Sequence, residues 1–220
     1  CFSMRSRGKG GQVRYLAPFA AFVTVVAGLS VLAGWTFGMD ALTNLVPTWP
    51  KMVRLTAATF ALSGVALWLA ARDSHRAALA ASPTVALIGA LILLRYLAGW
   101  DAYLEQFSIG PLPVALDGHA SPRMAPATAL AFLLAGLSLL LSRLPRMALA
   151  HQALSLGVVF IAWTGLSRFV FGGEPILMFA NMAVHTALLF LLLAAGTLCL
   201  RPDAGVAALL VSRGVGGGLA

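Results

Sequence analysis

Residues 124–141 read MAPATALAFLLAGLSLLL. This stretch is apolar along almost its whole length and opens on the pattern Met-x-x-x-Thr-Ala-x-x-Phe, which occupies residues 52–60, 124–132 and 182–190. Another apolar stretch precedes each copy, and these stretches end in the related segments 30–34, 95–99 and 168–172. Because self-similarity of this kind is the signature of repeat architectures, the sequence predicts three copies of one hairpin of apolar helices.

The composition predicts that these hairpins lie in a membrane. Hydrophobic residues make up 60% of the chain and charged residues 10%, whereas soluble domains have about 45–50% and about 25%. Six stretches are long enough to cross a hydrocarbon core of lipid, and none alternates with the period of a barrel strand. They cover residues 16–35, 52–71, 77–99, 124–141, 147–166 and 179–200. We therefore expect an all-α, polytopic membrane protein with six transmembrane helices, paired as hairpins over 16–71, 77–141 and 147–200.

The distribution of charge predicts the orientation of these helices. If the N-terminus is cytoplasmic, the inner segments carry most of the 15 lysines and arginines, and the outer loops carry most of the seven acids. Short loops rich in Lys and Arg remain in the cytoplasm. We expect both termini there, with residues 1–15 as a basic tail and 201–220 as a truncated or flexible segment. The net charge of +8 then indicates contact with anionic lipid and no nucleic-acid partner.

Three arginines lie inside or beside apolar stretches near their predicted outer ends: Arg54, Arg95 and Arg168. Charged groups within a membrane are costly, and they are therefore associated with function. One hypothesis is an outward-facing pocket in which these arginines meet Asp101, Glu105 or an anionic ligand. In the alternative, their long side chains reach the outer headgroups or form simple ion pairs between helices.

Three tryptophans at the predicted outer boundary are expected to be interfacial anchors: Trp35, Trp49 and Trp100. Stacking on a ligand is the alternative for these rings. Small and hydroxylated residues of the repeat are expected to pack helices closely, because they let backbones approach and hydrogen-bond across the contact. This set comprises Thr56, Gly64, Thr128, Gly136, Thr186 and Gly196.

Two histidines lie in apolar stretches, His151 near the predicted inner face and His185 near the outer face. About a membrane thickness separates them, so they cannot share one metal ion, and we predict no metal site. Either could ligate a haem or a chlorin, but no second ligand or attachment motif is visible. We therefore predict hydrogen-bonded core histidines and no cofactor.

The chain also lacks the residue patterns of known catalytic sites. It has no paired-carboxylate motif, no His-Glu-x-x-His, no nucleophile elbow and no phosphate-binding loop. We predict that the protein is not an enzyme.

Residues 123–141 resemble the repeated membrane segment in the N-terminal sensor regions of many bacterial histidine kinases and of related diguanylate cyclases. That family shows Met-x-Pro-x-Thr-Ala-x-x-Phe-x-Leu-x-Gly in its hairpins and a Gly-Trp or Gly-Tyr pair at the end of the preceding helix. A segment similar to residues 201–210 follows its last helix. The likeness extends from about residue 31 to the C-terminus. The first copy departs from it at Leu55, and only the second has the proline, Pro126.

The resemblance implies a non-catalytic membrane module of the bacterial inner membrane that relays a signal to an output region. Two alternatives remain beside it. One is an accessory or structural subunit of a larger photosynthetic or respiratory complex, and the other is a transporter of a small solute. Transport ranks third because the apolar stretches lack a break and a polar lining at mid-membrane depth. The expected partners are the lipid bilayer and either the helices of other membrane proteins or further copies of the chain.

Overall fold

The computed structural model describes residues 7–43, 50–72, 74–98, 124–172, 179 and 182–201. No strand occurs among these residues, so the prediction of an all-helical chain is confirmed. The six long helices are α1 (Arg7–Phe37), α3 (Arg54–Ala71), α4 (His75–Leu97), α5 (Pro126–Leu141), α6 (Ala148–Phe171) and α7 (Val184–Leu198). A short helix α2 (Asp40–Thr43) follows α1, and a 3-10 turn at Pro145–Met147 leads into α6.

Four helical segments are long and apolar enough to cross a membrane: Tyr15–Phe37, Arg54–Ala71, Ala80–Leu97 and Pro145–Phe171. The other two long helices, α5 and α7, have 16 and 15 residues. At about 1.5 Å per residue, both are shorter than the roughly 30 Å of a hydrocarbon core. By helix length alone, four of the six predicted spans are therefore present.

Large apolar side chains cover the outward faces of α1, α4 and α6. The side chains that are more than half exposed include Phe19, Phe22, Leu87, Leu91, Phe160 and Trp163. Soluble proteins rarely leave so much contiguous apolar surface in water, whereas lipid tails cover it at no such cost. These apolar helices indicate that the protein associates with a membrane.

The six long helices contact one another in a closed ring, and three of them also meet at its centre. Helices α1 and α4 pack chiefly against the next long helix, α3 or α5, whereas α6 packs about equally against α5 and α7. Further contacts join α3 to α4, α5 to α6 and α7 to α1. Helices α3, α5 and α7 also contact one another. We call these three the inner helices and α1, α4 and α6 the outer helices.

The motif methionine marks the start of every inner helix. Helices α3, α5 and α7 each begin two residues after Met52, Met124 or Met182. The residue before each helix is extended, with ψ of 145°, 145° and 151° in chain order. Pro126 is the first residue of α5. Its missing backbone N–H costs no helical hydrogen bond, because an N–H at the first helical position has no acceptor within the helix. We call this end of the bundle the methionine end, and the opposite end, which holds Arg72, Arg143 and Arg201, the arginine end.

The motif phenylalanines meet at the axis between the inner helices. Phe60, Phe132 and Phe190 have no exposed surface. Their ring centroids are 4.6 to 4.7 Å apart in all three pairs, with interplanar angles of 54° to 64°. Tilted and edge-on contacts of this kind are favourable beyond the burial of area alone. The three rings therefore fix the distance between the three inner helices.

Glycines let each of the first two inner helices approach its outer helix. A Cβ on Gly64 would lie 2.8 Å from the carbonyl oxygen of Ala21, and one on Gly136 would lie 2.4 Å from the backbone nitrogen of Ala86. Real Cβ atoms do not come so close to backbone. Both glycines expected to pack helices therefore do so within the chain.

Gly196 packs in a different direction. A Cβ there would lie 2.8 Å from the Cβ of Ala20 on α1 and 2.7 Å from a methyl group of Leu67 on α3. Gly196 therefore allows α7 to approach the neighbouring helix pair, α1 and α3, and does not contribute to the contact of α7 with α6. In this respect it is not the counterpart of Gly64 and Gly136.

Truncating one ring of the axial contact should destabilise the bundle. We expect Phe132→Ala to lower the free energy of unfolding by about 3–5 kcal/mol, since a fully buried aromatic side chain is lost and a cavity remains. Phe160→Ala is the matched control, because that ring is 71% exposed on the outer face of α6. Steric-trap unfolding in bicelles measures both values. If both variants lost the same free energy of unfolding, a packing role for the three axial phenylalanines would be contradicted.

Adding a single methyl group at Gly136 should also disrupt the fold. Gly136→Ala places a carbon against the backbone of α4, which cannot move aside without separating α4 from α5. Gly157→Ala is the control, because a Cβ there would lie 3.2 Å from the end of the flexible Leu134 side chain. We expect the first variant to lose folded, monodisperse protein on size-exclusion chromatography in detergent. We expect the second to elute as the wild type.

Candidate functional site at the arginine end

The predicted outer pocket is only partly within the described residues. Arg54 is exposed, and its guanidinium lies 4.8 Å from the centre of the Trp35 ring. Arg168 is half-buried and donates a hydrogen bond of 2.9 Å to the backbone carbonyl of Phe179. Arg95, also half-buried, lies in the last turn of α4. Asp101, Glu105, Trp49 and Trp100 lie outside the described residues, so convergence on one pocket stays a prediction.

At the methionine end, aromatic side chains tie each of the first two outer helices to the next inner helix. The indole N–H of Trp35 donates to the carbonyl of Met52 at 2.8 Å, and the hydroxyl of Tyr96 donates to the carbonyl of Met124 at 2.7 Å. The sequence predicts Trp35 as an interfacial anchor, but its indole N–H is hydrogen-bonded within the protein. Tyr96 in the last turn of α4 therefore makes the contact that corresponds to that of Trp35 in α1.

The motif threonines are buried in the same inner helices. Thr56, Thr128 and Thr186 are each no more than 3% exposed. They lie one turn before the axial phenylalanines, in the region where the inner helices approach one another. This placement agrees with the packing role expected for them.

The main cluster of buried polar side chains lies at the other end of the bundle. It comprises Ser138 of α5, His151 and Ser155 of α6, and Thr197 of α7, each no more than 1% exposed. We call these four residues the polar cluster. It joins three helices in a part of the protein where an unsatisfied polar group would be expensive.

Hydroxyl groups connect the polar cluster from α5 to α7. The Ser138 and Ser155 oxygens are 2.7 Å apart, and the Ser155 and Thr197 oxygens are 3.1 Å apart. Thr197 donates back to the carbonyl of Ala194 at 2.8 Å. The chain of hydroxyls therefore ends in a backbone acceptor in the last turns of α7.

The imidazole of His151 lies at the α5 side of this chain. Its Nδ1 is 2.9 Å from the backbone carbonyl of Ser138 and 2.8 Å from the Ser138 hydroxyl. A carbonyl oxygen can only accept, so we assign the ring proton to Nδ1. His151 is thus a buried, hydrogen-bonded histidine, as the sequence predicted. Its Nε2 is buried and has no hydrogen-bond partner among the described residues.

His185 differs from this expectation. It lies in the first turn of α7 at the methionine end and is half-buried. Its Nε2 is buried and makes no hydrogen bond with any described residue. The prediction of a hydrogen-bonded core histidine is therefore not met for that nitrogen.

Two arginines bind backbone carbonyls at helix ends of the arginine end. Arg143, which follows α5, donates to the carbonyl of Leu69 near the end of α3 at 3.2 Å. Arg201, which follows α7, donates to the carbonyl of Ser142 at the end of α5. A cation at a helix C-terminus is favourable because the last carbonyls there lack partners. Each arginine therefore fastens the end of its own helix pair to the preceding pair.

The side chains of this site are donors and acceptors of hydrogen bonds. Within the described ranges, no three His, Cys, Asp or Glu side chains come together to hold a metal ion. The cluster offers hydroxyl groups, one imidazole and two nearby guanidinium groups, and it contains no carboxylate. The sequence analysis did not predict this cluster, because its serines and threonine do not stand out within apolar stretches. The available indication was that Ser138 and His151 lie on either side of a short turn between two helices.

Comparison of the chain with models of protein families, with curated proteins and with solved structures gives no match.

Breaking the hydroxyl chain should destabilise the arginine end. We expect Thr197→Val to lower the free energy of unfolding by about 1–2 kcal/mol, since Ser155 loses a buried partner. Thr84→Val is the matched control: Thr84 also donates to a carbonyl of its own helix, but its side chain is exposed. Unfolding in bicelles compares the two variants. If Thr84→Val lowered the free energy of unfolding as much as Thr197→Val, the polar cluster would have no special role in stability.

Proposed function

We propose that this chain is a non-catalytic integral membrane module that relays a signal through its helices to the segment after Arg201. In this proposal it is the membrane-embedded sensor region of a bacterial signalling protein, located in the cytoplasmic membrane with both termini inside. The resemblance of residues 123–141 to such regions motivates the proposal, and the geometry of the arginine end supports it.

The proposed architecture is three hairpins related by a rotation about the membrane normal, with all six long helices crossing. Shared features of the pairs support it: the common start of the inner helices, the meeting of three equivalent rings, and the matching contacts of Trp35 and Tyr96. The inner helices are short, but they lie inside the ring and are shielded by the outer ones. They can therefore end within the headgroup region without exposing backbone to lipid tails.

The observation that carries the relay is the fastening of the C-terminal end of α7. Thr197 bonds to Ser155 of α6, and Arg201 bonds to the carbonyl of Ser142 at the end of α5. A displacement of α5 or α6 at this end would therefore move Arg201, the last described residue before the predicted cytoplasmic segment. That is the connection a relay requires, because coupling needs a physical element that both sites can bias.

The axial rings favour this function over transport. Phe60, Phe132 and Phe190 fill the space between the inner helices. A solute path along the axis would have to separate three fully buried aromatic side chains. A transporter instead requires a polar site at mid-membrane depth between its repeats.

A specific feature keeps the accessory subunit as the second candidate. Phe160 and Trp163 stand on the exposed face of α6, with exposed fractions of 71% and 59%. Such a face can meet either lipid or the helix of a larger membrane complex. Purification distinguishes the two candidates, because a subunit should co-purify with one complex in fixed stoichiometry.

A reporter fusion tests the relay. We propose joining the full chain to a cytoplasmic diguanylate cyclase domain and measuring its product in membrane vesicles. Thr197→Val and Arg201→Gln should each change the basal output by about five-fold or more, as expected for a coupling free energy above about 1 kcal/mol. Thr84→Val and Arg146→Gln are the controls, since both side chains are exposed.

Insertion is checked separately by carbonate extraction and by protease protection of the reporter. Inserted variants with unchanged output would contradict the relay. Capture of the chain in a stoichiometric complex, with output unaffected, would favour the accessory subunit.

A further inference from the structure

The three motif threonines differ from the other buried hydroxyl groups of the bundle. Other buried hydroxyls donate to a backbone carbonyl, as those of Thr24 and Ser63 do at 2.7 Å. The motif threonines are no more than 3% exposed, yet their hydroxyls make no hydrogen bond with any described residue. They are Thr56, Thr128 and Thr186. An unpaired buried hydroxyl is costly, and here the same exception occurs in all three copies of the repeat.

The start of each inner helix explains why these hydroxyls lack an acceptor. A helical threonine usually donates to the carbonyl four residues earlier, which in every copy belongs to the motif methionine. That methionine lies before the helix and is followed by an extended residue, so its carbonyl does not continue the helix. The carbonyls of Met52 and Met124 moreover accept from Trp35 and Tyr96. The hydroxyls are therefore available to a partner from outside their own helix.

The three hydroxyls lie around the axis of the bundle. Each motif threonine precedes an axial phenylalanine by four residues and thus lies on the same helix face, one turn closer to the helix start. The phenylalanine is the seventh residue of each inner helix, so the contact of the three rings is only about 9 Å from the three helix starts. The ring centroids are 4.6 to 4.7 Å apart. The threonines therefore surround the axis between the rings and the methionine end.

The N-termini of the inner helices meet at the same place. The first helical hydrogen bonds come from the amides of Ala57, Ala129 and Ala187, so the backbone N–H groups before them have no acceptor in their own helix. The N-cap residues are one valine and two alanines, which cannot cap with a side chain, and no first turn contains an acid. Three positive helix ends thus lie side by side without an acidic residue of their own. Such ends favour a negative charge.

The charged side chains at this end have the same sign. Arg54 begins α3, and Arg168 lies in the last turn of α6. Among the side chains that the structure describes at the methionine end there is no carboxylate. A cation bound to the threonine oxygens would face three positive helix ends, whereas an anion would accept from the hydroxyls and be stabilised by those ends.

We propose that the motif threonines and the N-termini of the inner helices form a binding site for a small monovalent anion, of the size of chloride. Each hydroxyl donates one hydrogen bond to the anion, and the three helix ends stabilise its charge. The axial phenylalanines close the site towards the interior of the bundle. The site is separate from the polar cluster, and it does not depend on the proposed relay. It gives the repeated threonine a role that packing alone does not require.

Thermal unfolding of the full chain in detergent micelles tests the site, with chloride as the probe. Chloride replaces gluconate, an anion too large for the site, at constant ionic strength. A ligand that binds only the folded state stabilises it in proportion to the logarithm of its concentration above the dissociation constant. We expect the melting temperature of the wild type to rise by about 2–4 °C or more in chloride.

Threonine variants make the assignment specific. Thr128→Val and Thr186→Val retain the shape of the side chain but remove the donor, and each should lose most of the rise in chloride. In gluconate they should melt no lower than the wild type, because the hydroxyl they remove has no partner. Thr59→Val is the matched control: Thr59 is also buried in α3, but its hydroxyl donates to the carbonyl of Leu55 at 2.7 Å. This variant should retain the whole rise in chloride.

Two results would overturn the anion site. One is a wild-type melting temperature that is the same in chloride and in gluconate, as expected if a carboxylate of the chain itself filled the site. The other is a pair of threonine variants that melt lower than the wild type by the same amount in both salts, since the hydroxyls would then serve packing alone.

Discussion

The contact of three phenylalanine rings at the axis is the interaction on which the rest of the bundle depends. Between helices in lipid there is little hydrophobic driving force, because lipid tails are as apolar as leucine. Close packing and polar contacts must then hold the helices together. Phe60, Phe132 and Phe190 supply that packing at the centre, where each ring touches the other two. With the inner helices fixed, the outer helices can only occupy the grooves between them.

Small residues and end contacts complete this arrangement. The backbone of α5 approaches α4 so closely at Gly136 that no other side chain fits there. At the methionine end, Trp35 and Tyr96 bind backbone carbonyls that precede an inner helix. At the arginine end, Arg143 and Arg201 bind carbonyls of the preceding helix pair. Packing thus sets the distances between helices, and the hydrogen bonds at both ends set their register.

The polar cluster costs more free energy to bury than an apolar contact would, and its presence therefore needs an explanation. Hydrogen bonds between transmembrane helices are worth only about 1 kcal/mol. They do not by themselves justify a buried imidazole whose Nε2 has no hydrogen-bond partner among the described residues. The neighbouring contact of α7 with α1 uses glycine and alanine at the same depth. In the proposed relay, the attachment of α7 to this cluster is the element that carries a displacement towards Arg201.

The sequence was sufficient to predict the helical class and the positions of the long helices to within a few residues at most boundaries. These follow from hydrophobic length and from a repeated pattern, both of which are local. It also indicated close packing at Gly64 and Gly136, since small residues recur there. Three facts required the tertiary structure: Tyr96 makes the same contact as Trp35, Gly196 faces the neighbouring pair, and the four residues of the polar cluster meet. Those facts depend on the rotation of each helix about its axis and on contacts between hairpins, which no single apolar stretch encodes.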